Sequence, residues 1–328
     1  MRPRTLVSAI AALVAVSVFA AATGVANAQD YPVKPVKIIV PTAAGGGVDV
    51  IARIVADHLT GLWGQQALVV NQPGAGGAIG VRAAGTAMAD GYTLYFAISS
   101  NFVALPEMQA NLPFDVARDF VPIGFVGESP MIIGASPALG VSSLPELFAL
   151  ARKRPGEVNV AVLSRGGLPH LTAEWLRMAS GADLTFVPYP GAPQALTDIM
   201  GGRVHLAVES LPAFSGAISG GTLKALAIAS AQRVPNLPDL PTVSETLPGL
   251  VAMGWSALMA PPATPQAIAR KASNDLRTVL ARQELQQRFV ELGTYVHSMS
   301  PGELADFIRS QQQVWKPVIT RVSSQTPK

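Results

Sequence analysis

A short apolar run, a turn rich in small residues and a stretch with helical spacing succeed one another along most of this chain. Residues 36–40 (VKIIV) read as a strand and run into Gly45, Gly46 and Gly47. Apolar residues then recur at Val50, Ile51, Ile54, Val55, Leu59 and Leu62, the i, i+3/i+4 spacing of a helix with one buried face. Residues 67–70 (ALVV) predict a second strand, followed by NQPGAGGAIG and a helix of small residues to about Ala89. After a turn at Asp90 and Gly91, residues 92–97 (YTLYFA) predict a third strand. Strand–helix–strand units with short loops close as right-handed crossovers. They imply an α/β fold whose mostly parallel sheet is covered by helices.

The alternation starts afresh after about residue 130. Residues 131–135 are apolar, 144–152 are helical and 158–162 (VNVAV) form a strand. A helix over 168–180, a strand over 184–187, a helix over 192–200 and strands over 204–208 and 223–229 follow. Pro235, Pro238, Pro241 and Pro248 then carry the chain across the surface. From Thr264 it is chiefly helical, over 265–282, 283–292 and 302–318. The expected layout is two similar lobes, the first made of residues 29–130 plus 252–328 and the second, 131–251, inserted into it. Hinge crossovers are expected near 127–132 and 250–256.

With 328 residues, 49% of them apolar and 14% charged, the chain can build a sizeable core and is no disordered tail. It has no cysteine, which excludes a disulfide scaffold, a thiolate metal centre and a cysteine nucleophile. Arg2 and Arg4, the apolar stretch from Leu6 to Ala22 and the small residues Ala26-Asn27-Ala28 have the layout of a secretory signal peptide over residues 1–28. Cleavage is expected after Ala28, leaving a protein soluble outside the cytoplasm. Loss of Arg2 and Arg4 takes the net charge from +3 to +1, too little for a nucleic-acid footprint.

Glycine turns after parallel strands gather at the carboxyl edge of the sheet, where open α/β sheets place ligands. Glycine admits close backbone approach, and the unpaired N–H groups of a first helical turn favour an anion. The loops at Gly45–Gly47 and Gly74–Gly77 can therefore grip a carboxylate with main-chain donors. Neither carries the Lys and Ser/Thr of a phosphate loop. Gly74, Gly76 and Gly80 are spaced one residue too long for a dinucleotide fingerprint, and no acid follows about 20 residues on. Plain tight turns are the alternative, and an acid such as Asp49 in a first helical turn stabilises by about 0.3–1 kcal/mol without any other duty.

His170 and Glu174 stand at i, i+4, which suits two metal ligands, but no third is suitably spaced. A local hydrogen bond is the better reading, and no metal or cofactor is expected. Ser164 lies near His170 in sequence, yet the nucleophile motif G-x-S-x-G is absent. A helix cap or a ligand donor is the better reading there too. Trp255, near a crossover, is a candidate reporter of cleft closure.

The segments YPVKPVKIIVPTAAGGGVD, NQPGAGGAIG, DGYTL and LPFDVARDFVPI open a longer ordered set. It continues through HLTAEWL, VPYPGAPQALTDIMGGRV, LKALAIASAQRVPNLPDLPTVSE and APPATP. Together, from Tyr31 to near the end, they resemble the extracytoplasmic substrate-binding proteins of tripartite tricarboxylate transporters, the Bug family. The resemblance implies a two-lobed Venus flytrap, in the periplasm and monomeric. It would bind a small organic carboxylate and deliver it to the large and small membrane subunits of a transporter. A sensor component presenting its ligand to a kinase, or a secreted serine hydrolase, are the alternatives.

Carried over by position, the resemblance places ligand contacts at Thr42, Ala44, Gly45, Gly46, Gly47, Val48 and Asp49 in the first loop. Ile98, Ser99 and Asn101 follow the third strand. The inserted lobe would contribute Ser164, Arg165, Gly166 and Gly167, then Tyr189, Pro190 and Gly191, with Asp198 in the helix behind. The chain departs from the family pattern at Thr42, where an aromatic is usual, at Ala44 (Pro) and at Pro190 (Lys). Val48 and Gly167 replace hydroxyl residues. Each net hydrogen bond is worth about 0.5–1.5 kcal/mol, so two losses point to a ligand less polar than citrate, such as a monocarboxylate or aromatic acid, with Arg165 as partner for its charge.

Overall fold

The computed structural model describes residues 31–324 apart from 110, 164, 298 and 300. The leader, its cleavage site at Ala28 and Ser164 lie outside the described residues.

The chain begins with β1 (Val36–Val40), α1 (Gly47–Trp63), β2 (Ala67–Asn71), α2 (Ala78–Gly85) and β3 (Thr93–Ile98). Three short helices, α3 (Ser99–Val103), α4 (Leu105–Met108) and α5 (Val116–Asp119), lead into the 15-residue strand β4 (Val121–Ala135). Next come α6 (Leu144–Lys153), β5 (Val158–Leu163), α7 (Leu168–Ser180), β6 (Leu184–Tyr189) and α8 (Ala192–Met200). β7 (Leu206–Ser210), α9 (Leu211–Ser219) and β8 (Lys224–Ile228) complete this part, and β9 (Met253–Ala260) returns. The last helices are α10 (Gln266–Leu280), α11 (Gln283–Glu291) and α12 (Pro301–Ser324).

The molecule has two lobes with matching sheets. The first runs β2-β1-β3-β9-β4 and the second β6-β5-β7-β4-β8, so β4 belongs to both. Four strands in each sheet point the same way and one opposes them: β9 in the first, the distal part of β4 in the second. The expected parallel units are thus β2-β1-β3 and β6-β5-β7, and the opposing strand is in each case one that crosses between lobes. Along β4, Pro130 is still paired with Met253 of β9, whereas the next residue, Met131, is paired with Ser210 of β7.

At that point three stretches of chain are stitched together. Met131 N–H donates to Ala252 O at 2.9 Å, Ala252 N–H to Ala229 O at 2.7 Å, and Ala229 N–H to Met131 O at 2.8 Å. Extended backbone with every polar group paired can pass between lobes without an exposed, unsatisfied edge.

Each lobe buries apolar side chains on both sheet faces. Ile38, Val55, Leu59, Leu276 and Phe289 join β1, α1, α10 and α11 on one side of the first sheet. Ile132, Ala195, Ile199 and Phe214 do the same for α8 and α9 on the second. A third cluster runs through both lobes and includes Phe102, Phe125, Trp255 and Trp315. Within it α12 bridges the lobes: Gln312 Nε2 donates to Phe102 O at 2.9 Å, and the Trp315 ring lies 5.3 Å from that of Trp175 on α7.

Candidate functional site

The carboxyl ends of β1 and β3 face those of β5, β6 and β7 across a cavity of about 100 Å³ between the lobes. An apolar cavity of about 150 Å³ takes a ring the size of benzene, so the space suits a ligand of a few heavy atoms. Of the expected contacts, Thr42, Gly46, Gly47 and Val48 line it from the first loop, and Ile98 and Ser99 from the start of α3. Gly167, Pro190 and Gly191 line it from the second lobe.

The first loop is shaped from behind by Asp49, which is 3% exposed. Its Oδ2 accepts from Gly45 N–H at 2.9 Å and Arg53 Nε at 3.0 Å, and its Oδ1 accepts from Asn71 Nδ2 at 2.9 Å. The same Asn71 amide donates to Thr42 O at 3.1 Å, pinning the loop to β2. Burial pushes the Asp49 carboxyl up, but the hydrogen bonds from Arg53, Gly45 and Asn71 outweigh it and hold the group below the usual carboxylate range. Asp49 therefore builds the loop and does not line the cavity. Asn101 plays the same part for α3: its Oδ1 accepts from Tyr95 Oη at 2.7 Å and Ile98 N–H at 3.0 Å.

Glycine at position 47 serves contact between the lobes. A Cβ there would stand 2.0 Å from Ser210 Oγ and 3.3 Å from Ala213 N. At Gly45, where φ is +81°, it would stand 3.2 Å from Pro193 Cγ. The first glycine loop is thus pressed onto the opposite lobe at the N-terminal ends of α8 and α9.

A larger outer cavity, about 610 Å³, shares Thr42, Ala43 and Pro190 with the central one. The second glycine loop opens here, through Gly74, Ala75 and Gly76, and so do Arg165, Gly166 and Tyr189. Arg165 is accordingly placed at the outer cavity and not at the central one. Behind it, Tyr189 Oη donates to Asp198 Oδ2 at 2.5 Å, and Arg203 holds the other oxygen of Asp198. Ala44, Gly45, Asp49, Asn101 and Asp198 line neither cavity. His170 Nδ1 accepts from Gly166 N–H at 3.1 Å and its Nε2 lies 3.8 Å from Glu174 Oε1, a local contact that steadies the loop carrying Arg165.

Sequence reasoning missed the floor of the central cavity. It is made where β4 and β9 cross between lobes, by Ser129 and Met131 on one and Gly254, Trp255 and Ser256 on the other. Glu209 was also missed, whereas Ser100 falls within the span 98–101 that the resemblance indicates. Three lining side chains have buried polar atoms with no partner among the described residues: Thr42 Oγ1, Ser100 Oγ and Trp255 Nε1. The Trp255 indole is held by Phe102, its ring 4.9 Å away, and by Phe307 at 5.2 Å. A buried donor left unpaired costs about 1–3 kcal/mol, so these three side chains are candidate partners for a polar group held in the cavity.

Two hinged-type lobes enclosing a small cavity with unpaired donors define a solute-binding protein. The chain belongs to the family described as "Tripartite tricarboxylate transporter family receptor", whose model matches residues 51–323. It is 35% identical to Protein BugT of Bordetella pertussis (strain Tohama I) over 312 residues, 94% of this chain and 96% of that one. Among solved structures it is similar to the periplasmic binding protein BugD, with 32% identity and a TM-score of 0.83 over 89% of this chain and 98% of that chain. It is also similar to R. palustris Rpa4515 with adipate, with 28% identity and a TM-score of 0.85 over 90% and 98%. The family is one of transporter receptors, the neighbour Rpa4515 is described with adipate and the neighbour MatC of Rhodopseudomonas palustris with bound malate, and no helix among the described residues is long and apolar enough to cross a membrane.

Proposed function

We propose that this protein captures a small organic carboxylate in the central cavity and hands it, without a chemical step, to the large and small membrane subunits of a tripartite tricarboxylate-type transporter. It does so as a periplasmic monomer exported by residues 1–28. The observation that carries this reading is the cavity between the lobes, lined by Thr42, Ser100 and Trp255, whose polar side-chain atoms have no partner among the described residues. Main-chain N–H groups of the first turn of α1, beside Gly46 and Gly47, supply further donors to an anion. Adipate in a relative of the same fold supports the ligand class.

The lobes are residues 29–130 with 252–328, and 131–251. The change of partners along β4 between Pro130 and Met131 supports that division. Gently denatured protein analysed by mass spectrometry is expected to release a small acid, and a thermal-shift panel of acids to show stabilisation by it. Release of nothing, together with no shift from any acid, would overturn the reading. Pull-down of the two membrane subunits supports the transporter as partner; recovery of a sensor kinase instead assigns the protein to signalling.

A further inference from the structure

Among the described residues that line the central cavity, Glu209 alone is charged. It stands at the end of β7, opposite Ile132 of β4, and its Oε1 accepts from Ser210 N–H at 2.6 Å and Ser210 Oγ at 2.9 Å. Among the described residues its Oε2 has no protein partner and the carboxyl has no cation partner. The elements packed around it bring none: α9 (LPAFSGAIS) carries no charge, α1 contributes Gly47, Val48 and Ile51, and β9 contributes Gly254, Trp255 and Ser256. A carboxyl facing a small space without a counter-ion is an unfinished pair.

The rest of the lining is uncharged among the described residues. Trp255 Nε1–H can only donate, and the hydroxyls of Thr42 and Ser100, like it without a partner among the described residues, can donate as well. An entering carboxylate is drawn to donors in the lining and repelled by an ionised Glu209, and a cavity of about 100 Å³ leaves little distance between the two anions. A cation on the ligand, set between its own carboxylate and Glu209, resolves both.

We infer that Glu209 binds an ammonium group on the ligand, so that the captured molecule is a small zwitterionic amino acid and not a plain mono- or dicarboxylate. This rests on the carboxylate-capture reading and adds the group at the ligand's other end. Glu209 is then the residue that sets specificity, and a hydroxy acid, with a neutral donor in place of the ammonium, ranks second.

The test is calorimetry at neutral pH on the mature protein with matched acids. One set is alanine, lactate and propionate, another valine, 2-hydroxyisovalerate and isovalerate, with succinate as the dicarboxylate probe. At least one amino acid is expected to bind tenfold or more tighter than its hydroxy and unsubstituted counterparts and than succinate. In Glu209→Gln, whose amide oxygen can still accept from Ser210, that preference is expected to collapse at least tenfold while the unsubstituted acid gains affinity. Tighter binding of succinate or an unsubstituted acid by the unaltered protein overturns the inference but leaves carboxylate capture standing, as does a preference that survives in Glu209→Gln. Because the unaltered protein alone decides the first comparison, poor folding of the variant does not blunt the test. If no acid in either set binds, carboxylate capture falls and the inference with it.

Discussion

Burial pushes the Glu209 carboxyl above the ordinary glutamate range, because dense surroundings disfavour its charged form. The native chain then holds this proton more tightly than the unfolded chain does. The resulting stabilisation is complete below the unfolded-state value and is lost as pH rises from there through the native one. Ligand-free Glu209→Gln is therefore expected to match the unaltered protein in acid and to melt at a higher temperature near neutrality, as followed by circular dichroism across pH. An equal difference at all pH values would show that the carboxyl does not titrate in this way. Gly47 invites a second substitution. Gly47→Ala puts a methyl carbon 2.0 Å from Ser210 Oγ and is expected to weaken ligand binding at least tenfold. Adding Ser210→Ala, which leaves Cβ 3.3 Å away as the nearest atom of that side chain, should recover part of the loss, a non-additive cycle readable by calorimetry. Trp255→Phe removes an unpaired donor and keeps most of the ring packing. It is expected to cost about 0.5–1.5 kcal/mol of binding, roughly a two- to tenfold rise in Kd, and to abolish a ligand-induced change in tryptophan emission.

At the level of elements, what the sequence announced and what it hid divide along one physical line. β1, β2, β3, β5 and β6 are short apolar runs bounded by turns, and the helices after them keep their spacing, so local pattern suffices. β9 and the first two-thirds of β4 escaped notice because their identity comes from pairing with each other. Pro122, Gly124, Gly127 and Pro130 interrupt β4, and its register with β9 slips between Pro122 and Gly124 and again between Phe125 and Gly127. The cavity floor was lost with them. β7 runs over Leu206–Ser210, two residues beyond the apolar run 204–208, and those two are the pair Glu209–Ser210 that faces the ligand space. An acid is a poor strand former, which is why an apolar count stops short of it. Of the positions carried over through resemblance, Thr42, Gly46, Gly47, Val48, Ile98, Ser99, Gly167, Pro190 and Gly191 line the central cavity, whereas Ala44 and Gly45 do not. The loss of hydroxyls at Val48 and Gly167 pointed to a less polar ligand, and the cavity lining is mainly apolar, with Glu209 its one charged residue among the described residues.

Taken whole, the molecule is two equivalent lobes tied by β4, β9 and α12. Contacts such as Gly47 on Ser210 and Gly191 on Ala43, where a Cβ would stand 3.4 Å from its neighbour, exist only while the lobes are together. A ligand that binds this arrangement is expected to stabilise the protein by about 2.7 kcal/mol at one hundred times its Kd, giving a melting shift of several degrees. Small-angle scattering should show a smaller radius of gyration with ligand than without it. An unchanged radius in the presence of a stabilising acid would mean that the lobes stay together when empty. The stitch formed by Met131, Ala229 and Ala252 lays three stretches of the chain side by side in a narrow ribbon. Such a ribbon bends readily across its thin dimension and resists shear within its plane. Any opening of the halves is therefore expected to follow the covers of a book, a bend about this ribbon and not a slide of one half across the other.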